Sequence, residues 1–196
     1  MISYLKGPIA LKTPTFVIID TGHIGYRVNI SLQTYSMLEA LDEVKLFTHY
    51  HIKEDSHTLY GFFTENEKAL FLHLISVSGI GPVTAQIMLS SMNTVDITQA
   101  IISENDLAFK KVKGIGPKTA KRIILDLKDK VLKDSGEISG QLLMTDNTIK
   151  NEALSALIAL GFQRNTAIKA IEAVIKENPE NNSVEVLIKK SLQQMI

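Results

Sequence analysis

The chain has 196 residues, no net charge and an apolar fraction of 45%, enough for one large soluble domain or two to three small ones. Cysteine is absent, which excludes disulfides, thiolate metal sites and a cysteine nucleophile. No apolar run approaches the ~18 residues of a membrane span, and Met1–Gly7 has no signal-peptide architecture, so a cytosolic protein is expected.

Residues 1 to 63 read as strands. Phe16-Val17-Ile18-Ile19 is a short apolar run ended by Asp20-Thr21-Gly22. Ile24, Tyr26, Val28 and Ile30 then alternate with His23, Gly25, Arg27 and Asn29, the period of a strand with one buried face. Val44, Leu46, Thr48, Tyr50 and Ile52 alternate in the same way, and Thr58–Phe62 supplies a partner strand. Five or six short strands with one helix near Gln33 to Leu41 suit a small barrel of the OB type. Lys53-Glu54-Asp55-Ser56-His57 lies between two of these strands, so Glu54 and Asp55 belong at a hairpin tip. Acidic residues there are usually solvated turn formers. They could also repel a DNA backbone, or bind Mg²⁺ for phosphodiester cleavage, although two adjacent acids without a third make a poor two-metal site. His49 and His51 share one side of a strand with His57 nearby. A zinc site there lacks a fourth ligand, and packing is the plainer expectation.

From Thr64 the period becomes helical. Thr64-Glu65-Asn66-Glu67 reads as a reciprocal capping box, followed by Leu70, Phe71, Leu74 and Ile75 at helical spacing. Further helices are predicted at Pro82–Ser91, Val95–Ser103, Asp106–Val112 and Pro117–Leu132. Between them the same turn occurs twice, thirty-five residues apart: Gly79-Ile80-Gly81-Pro82-Val83-Thr84-Ala85 and Gly114-Ile115-Gly116-Pro117-Lys118-Thr119-Ala120. Glycine allows positive φ and close approach by a ligand, and proline suits the first position of the next helix. Each turn therefore offers free N–H groups at a helix N-terminus, where the macrodipole favours an anion. Ile80 and Ile115 are expected to point inward. The pattern is the helix–hairpin–helix of sequence-independent DNA binders. Lys118-Thr119 does not make a nucleotide-hydrolase loop, because Pro117 separates Gly116 from the lysine and no glycine stands at the required earlier position. The second turn also sits in a basic stretch. Lys110, Lys111, Lys113, Lys118, Lys121, Arg122, Lys128, Lys130 and Lys133 face only Glu104, Asp106, Asp126 and Asp129, a surplus of +5.

Residues 134 to 147 lack periodicity and contain Ser135-Gly136 and Ser139-Gly140, the composition of a linker. Three short helices follow at Thr148–Leu160, Asn165–Glu177 and Ser183–Met195, with Gly161 closing the first. A bundle of under fifty residues has little core and suits a tethered docking module or a dimerisation domain.

Barrel, duplicated hairpin, linker and bundle occur in one order. With Phe47-Thr48-His49, Lys53-Glu54-Asp55, Leu59-Tyr60-Gly61-Phe62 and Ala156–Phe162, the chain resembles the RuvA family along its whole length. That family supplies the Holliday-junction-binding subunit of the bacterial RuvAB branch-migration complex. The resemblance implies an α+β multidomain fold: an OB-like barrel (1–63), a double helix–hairpin–helix domain (64–133), a flexible linker (134–147) and a UBA-like three-helix bundle (148–196). It implies a homotetramer holding a four-way junction through Ser78, Gly79, Ile80, Gly81 and Thr84 of the first hairpin. Gly114, Ile115, Gly116, Lys118, Thr119, Lys121 and Arg122 would serve in the second. Glu54 and Asp55 would form an acidic pin at the crossover. Leu157, Leu160, Phe162 and Leu192 would lie where the bundle docks on a RuvB-type hexameric ATPase, or could equally be core, since leucine at helical spacing is usually buried; a RuvC-type resolvase is a further implied partner. No catalytic residue, metal or cofactor is implied. Val83 departs from the basic residue frequent in the family after the first proline, which leaves the first hairpin to bind phosphate through backbone N–H groups. A general duplex-binding adaptor is the competing reading; a glycosylase would need a pocket Asp or Lys and a wedge residue, for which the sequence places no convincing candidate.

Overall fold

A computed structural model describes residues 2–140, 145–177 and 183–195. Five strands build a closed barrel in the order β1-β2-β3-β5-β4: β1 (Tyr4–Lys12), β2 (Phe16–Asp20), β3 (Gly25–Ile30), β4 (Glu43–Ile52) and β5 (His57–Phe62). The β3–β5 pair is parallel and the others are antiparallel. Alternation fills the interior with Val17, Ile19, Val28, Ile30, Val44, Leu46 and Leu59, and Leu38, just after helix α1 (Leu32–Met37), packs among them. Ile24 departs from the predicted alternation: it lies in the β2–β3 turn, where its carbonyl accepts from Thr21 N–H, and is 56% exposed. Ile52 is exposed too, because β1 pairs with β4 only up to Phe47 and β3 meets β5 only from Leu59. The intervening β4–β5 hairpin projects beyond the barrel wall.

The helical segment comprises α2 (Glu65–Ile75), α3 (Pro82–Ser91), α4 (Thr94–Ile102), α5 (Asp106–Lys110) and α6 (Pro117–Gly140). Phe71, Leu74, Met88, Leu89, Ile97, Ile101, Phe109, Ile123 and Leu127 form its core, and Tyr60 and Phe62 of β5 belong to the same cluster. The Phe62 and Phe71 rings lie 4.8 Å apart. Sharing a core makes barrel and helices one compact unit ending at Asp134.

Two expectations change. Thr64 Oγ1 accepts from Glu67 N–H as a cap should, but the Glu67 carboxylate accepts from Phe63 N–H and not from Thr64 N–H. Glu67 falls on the apolar stripe three and four residues before Leu70 and Phe71, so it is drawn inward and buried. The linker expected over 134–147 is helical at both ends: α6 continues to Gly140 and α7 (Thr145–Ala159) begins at Thr145, while 141–144 lie outside the described residues. Extending an established helix fixes one residue per added hydrogen bond, so Ser135 and Gly136 do not stop α6.

The second unit packs α7 with α8 (Arg164–Glu177) and α9 (Val184–Met195) around Ala153, Leu157, Ala167, Ile171, Val174 and Leu187. Gly161 (φ +96°) ends α7 as predicted. Phe162 N–H bonds Leu157 O and Gly161 N–H bonds Ile158 O, the Schellman pairing.

Candidate nucleic-acid interface

The two glycine turns are built alike, bond for bond. Gly79 and Gly114 sit at φ +94° and +92°, where any side chain is strained. Ile80 N–H then bonds Val77 O, and Ile115 N–H bonds Val112 O. Ile80 and Ile115 are buried in the helical core, so these two residues anchor their turns from inside. Ala85 N–H returns to Gly81 O and Ala120 N–H to Gly116 O. Ala85 and Ala120 are fully buried, which lets each turn close tightly on its helices.

Proline occupies the first helical position of α3 and α6. The N–H groups of Gly81, Val83 and Thr84, and of Gly116, Lys118 and Thr119, meet no acceptor among the described residues. Gly81 and Gly116 are unlike the other glycines of the turns. Gly81 has φ −93°, Gly116 lies outside the positive-φ region, and a Cβ at either would meet nothing within 4 Å. Neither packing nor backbone strain requires glycine there. What the missing side chain leaves open is the approach from solvent to the unpartnered N–H groups.

The basic stretch divides by partner. Lys110 pairs with Asp106 at 2.8 Å, Lys128 pairs with Glu104, and Lys130 donates to Ser76 Oγ. The Lys128 hydrogen bond and charge hold the Glu104 carboxyl below its ordinary pKa. Lys111, Lys113, Lys118, Lys121 and Arg122 are exposed, with no carboxylate partner among the described residues. Arg122 donates to Ser78 O at 3.4 Å, which joins the second hairpin's helix to the first hairpin. Val83 is 63% exposed where the second hairpin has Lys118, so cationic charge is concentrated on the second turn.

The acidic tip is a tight turn closed by Lys53 N–H to Ser56 O at 2.8 Å, with Glu54 and Asp55 exposed at its apex. The three histidines below it do not converge. His57 Nδ1 is 2.8 Å from the hydroxyl of Tyr50, whereas His49 and His51 lie on the other side of β4 with ring centroids 6.1 Å apart. His49 packs on Phe71; burial, then the charges of His51 and Lys68, hold its pKa below the usual value.

In the bundle, Leu157 is fully buried among the core residues, so of its two readings it takes the core one and not the docking surface. Leu192 packs against the same core and Phe162 is half-buried. Leu160 is 60% exposed and Ile158, two residues before it in the chain, 40%; the sequence patterning did not distinguish either from core. Glu67 was also missed in any role beyond a cap, although its place on the apolar stripe was visible.

Three family models cover the chain: the RuvA N terminal domain matches residues 1–61, the SAM-like helix-hairpin-helix tandem 71–129, and the RuvA C-terminal domain 148–196. The Holliday junction branch migration complex subunit RuvA of Christiangramia forsetii is 49% identical over the full length of both chains. Its counterpart in Cytophaga hutchinsonii is 48% identical over 98% of this chain and 99% of its own. That of Bacteroides fragilis is 43% identical, again over both full lengths. Matches of this extent, on a chain with a closed barrel, a doubled glycine hairpin and a separate three-helix unit, establish that it belongs to the RuvA family.

Proposed function

We propose that this chain binds four-way DNA junctions without reading sequence and is the non-catalytic, DNA-holding subunit of a branch-migration complex. The observation that carries this reading is the pair of matching turns with unpartnered N–H groups beneath open glycines. Each turn is suited to one run of backbone phosphate, and backbone contacts carry no sequence information. A motor that moves duplex past the complex needs that indifference. Four copies of the chain around a junction match its four arms, and a hexameric ATPase of the RuvB type, docked through the C-terminal unit, supplies the movement. A RuvC-type resolvase acts on the same junction. The work belongs to recombination, repair and the SOS response in the cytoplasm.

The test is competition between a synthetic four-way junction and linear duplex of equal length at moderate salt, with light scattering for mass. The expected result is a tetramer that strongly prefers the junction. Equal affinity for the two DNAs makes the chain a general duplex-binding adaptor instead.

Glu54 and Asp55 lie exposed on a projecting hairpin, where like charge keeps the phosphate backbone away and so shapes the path of strands at the crossover. Replacing Glu54→Gln and Asp55→Asn is expected to leave junction affinity equal or raised while altering the rate of ATPase-driven branch migration. A large loss of affinity would identify the tip as an attractive contact and remove the pin assignment.

A further inference from the structure

Residues 30 to 34, where β3 leaves the barrel and α1 begins, are held by three side chains of the helical segment. Gln86 Nε2 on α3 donates to Ile30 O at 2.5 Å, and Ser90 Oγ on α3 accepts Leu32 N–H at 3.1 Å. Glu67 on α2 makes the most bonds. Its carboxylate accepts from Ser31 Oγ at 2.7 Å, from Thr34 Oγ1 at 2.8 and 2.9 Å, and from Phe63 N–H at 3.0 Å. Glu67 is only 5% exposed, and no cation pairs with it among the described residues.

A buried carboxylate is a poor source of stability, since apolar groups of the same shape often serve as well. The apolar attraction between barrel and helices is already supplied by Phe62, Tyr60 and Phe71, whose rings lie 4.8 and 5.3 Å apart. Such burial is non-directional and tolerates rotation of one body against the other. Hydrogen bonds have preferred angles, and three donors converging on one carboxylate, Ser31 Oγ, Thr34 Oγ1 and Phe63 N–H, fix an orientation. The place of this network in the chain gives the orientation a use. α3 carries the first glycine turn at its N-terminus, and α2 leads into that turn. β3 pairs with β5 through Ile30 and Gly61, and β5 descends from the acidic tip.

We propose that Glu67 is a positioning residue for junction recognition. Through Ser31, Thr34 and Phe63 N–H it sets the acidic tip at one fixed orientation to the glycine turns, so that tip and turns reach the branch point together. The proposal rests on the junction-binding reading.

The test uses the full chain carrying Glu67→Leu with Thr34→Val, which removes the network while Ser31 keeps its cap on the residue 34 N–H. Glu67→Gln is the conservative partner, since its carbonyl can still accept from Phe63 N–H and its amide can donate to the two hydroxyls. Three properties are measured: thermal unfolding, affinity for junction and for linear duplex, and the distance distribution between spin labels at Asp55→Cys and Val83→Cys. The absence of native cysteine makes those labels unique, and dilution with unlabelled chain isolates the distance within one subunit.

The expected result for the double variant is a folded protein with unchanged duplex affinity, a broadened label distance, and junction affinity lower by about tenfold, because several arms add to binding only when their sites match in space. Glu67→Gln is expected to restore the narrow distance and most of the junction preference. An unfolded double variant, or parallel loss of duplex and junction binding, reduces Glu67 to a stabilising role and overturns the proposal. So does an unchanged label distance in a folded variant. A parent chain with no junction preference refutes the junction reading instead, and the label distance still decides whether Glu67 orients the tip.

Discussion

Replacing Gly81 and Gly116 together by valine is expected to leave the fold intact and remove junction binding. The choice of these two glycines matters. Valine at Gly79 or Gly114 would be forced to a φ near +90°, a strain of about 1–3 kcal/mol, and lost binding would then report a damaged turn. Gly81 and Gly116 have no such constraint, and their surroundings are empty within 4 Å of an added Cβ. The new side chains stand in the approach to the N–H groups of Gly81, Val83 and Thr84 and of Gly116, Lys118 and Thr119. A hydrogen bond to a charged group is worth about 1.5–3 kcal/mol. Losing one at each turn costs about 3–6 kcal/mol, or roughly 10²–10⁴ in Kd. Melting temperature and circular dichroism should match the parent, and fluorescence anisotropy with labelled junction reads the loss. A folded double variant that binds junction as the parent does would falsify the assignment of phosphate to these turns. The single variants are expected to differ: Gly116→Val should cost more than Gly81→Val, because the second turn alone has Lys118 beside it where the first has Val83.

Much of this site was legible because its determinants are local. Glycine, proline and an apolar residue between two glycines specify a turn over a few positions, and repetition of the same residues made a chance match improbable. The barrel strands were legible where Val, Ile and Leu alternate. β1 escaped notice because Gly7 stands at an inward position with no side chain to mark it. Its glycine is demanded by the pairing with β2: a Cβ there would lie 2.1 Å from Asp20 O, thirteen residues on. Distance along the chain hid the bond from Arg122 to Ser78 and the hydroxyl partners of Glu67, all more than thirty residues away. Leu157 shows the opposite failure. Helical spacing identified an apolar face, but spacing cannot separate the buried Leu157 from the exposed Leu160 one turn later.

That pair gives the second large effect. A chain ended after Asp134 is expected to bind junction with the parent's affinity and to lose all stimulation of the partner ATPase. The cut is structurally mild for the first unit: Val131 is, among the described residues, the last of α6 in the helical core, and both glycine turns and the acidic tip are retained. Full ATPase stimulation by the truncated chain would move the docking role into the first unit. Within the bundle, two leucines should then separate folding from docking. Leu157→Ala opens a cavity in the core and costs about 2–5 kcal/mol, comparable to the whole stability a core of this size supplies, so the bundle should melt and stimulation should vanish with it. Leu160 is 60% exposed and is not one of the bundle's buried core residues, so Leu160→Asp should leave its melting unchanged. If exposed Leu160 and Ile158 form the docking surface, that charge alone abolishes stimulation in a folded protein that still binds DNA. If Leu160→Asp stimulates normally, the partner meets another face of the bundle, and only the loss in Leu157→Ala remains, as a consequence of unfolding.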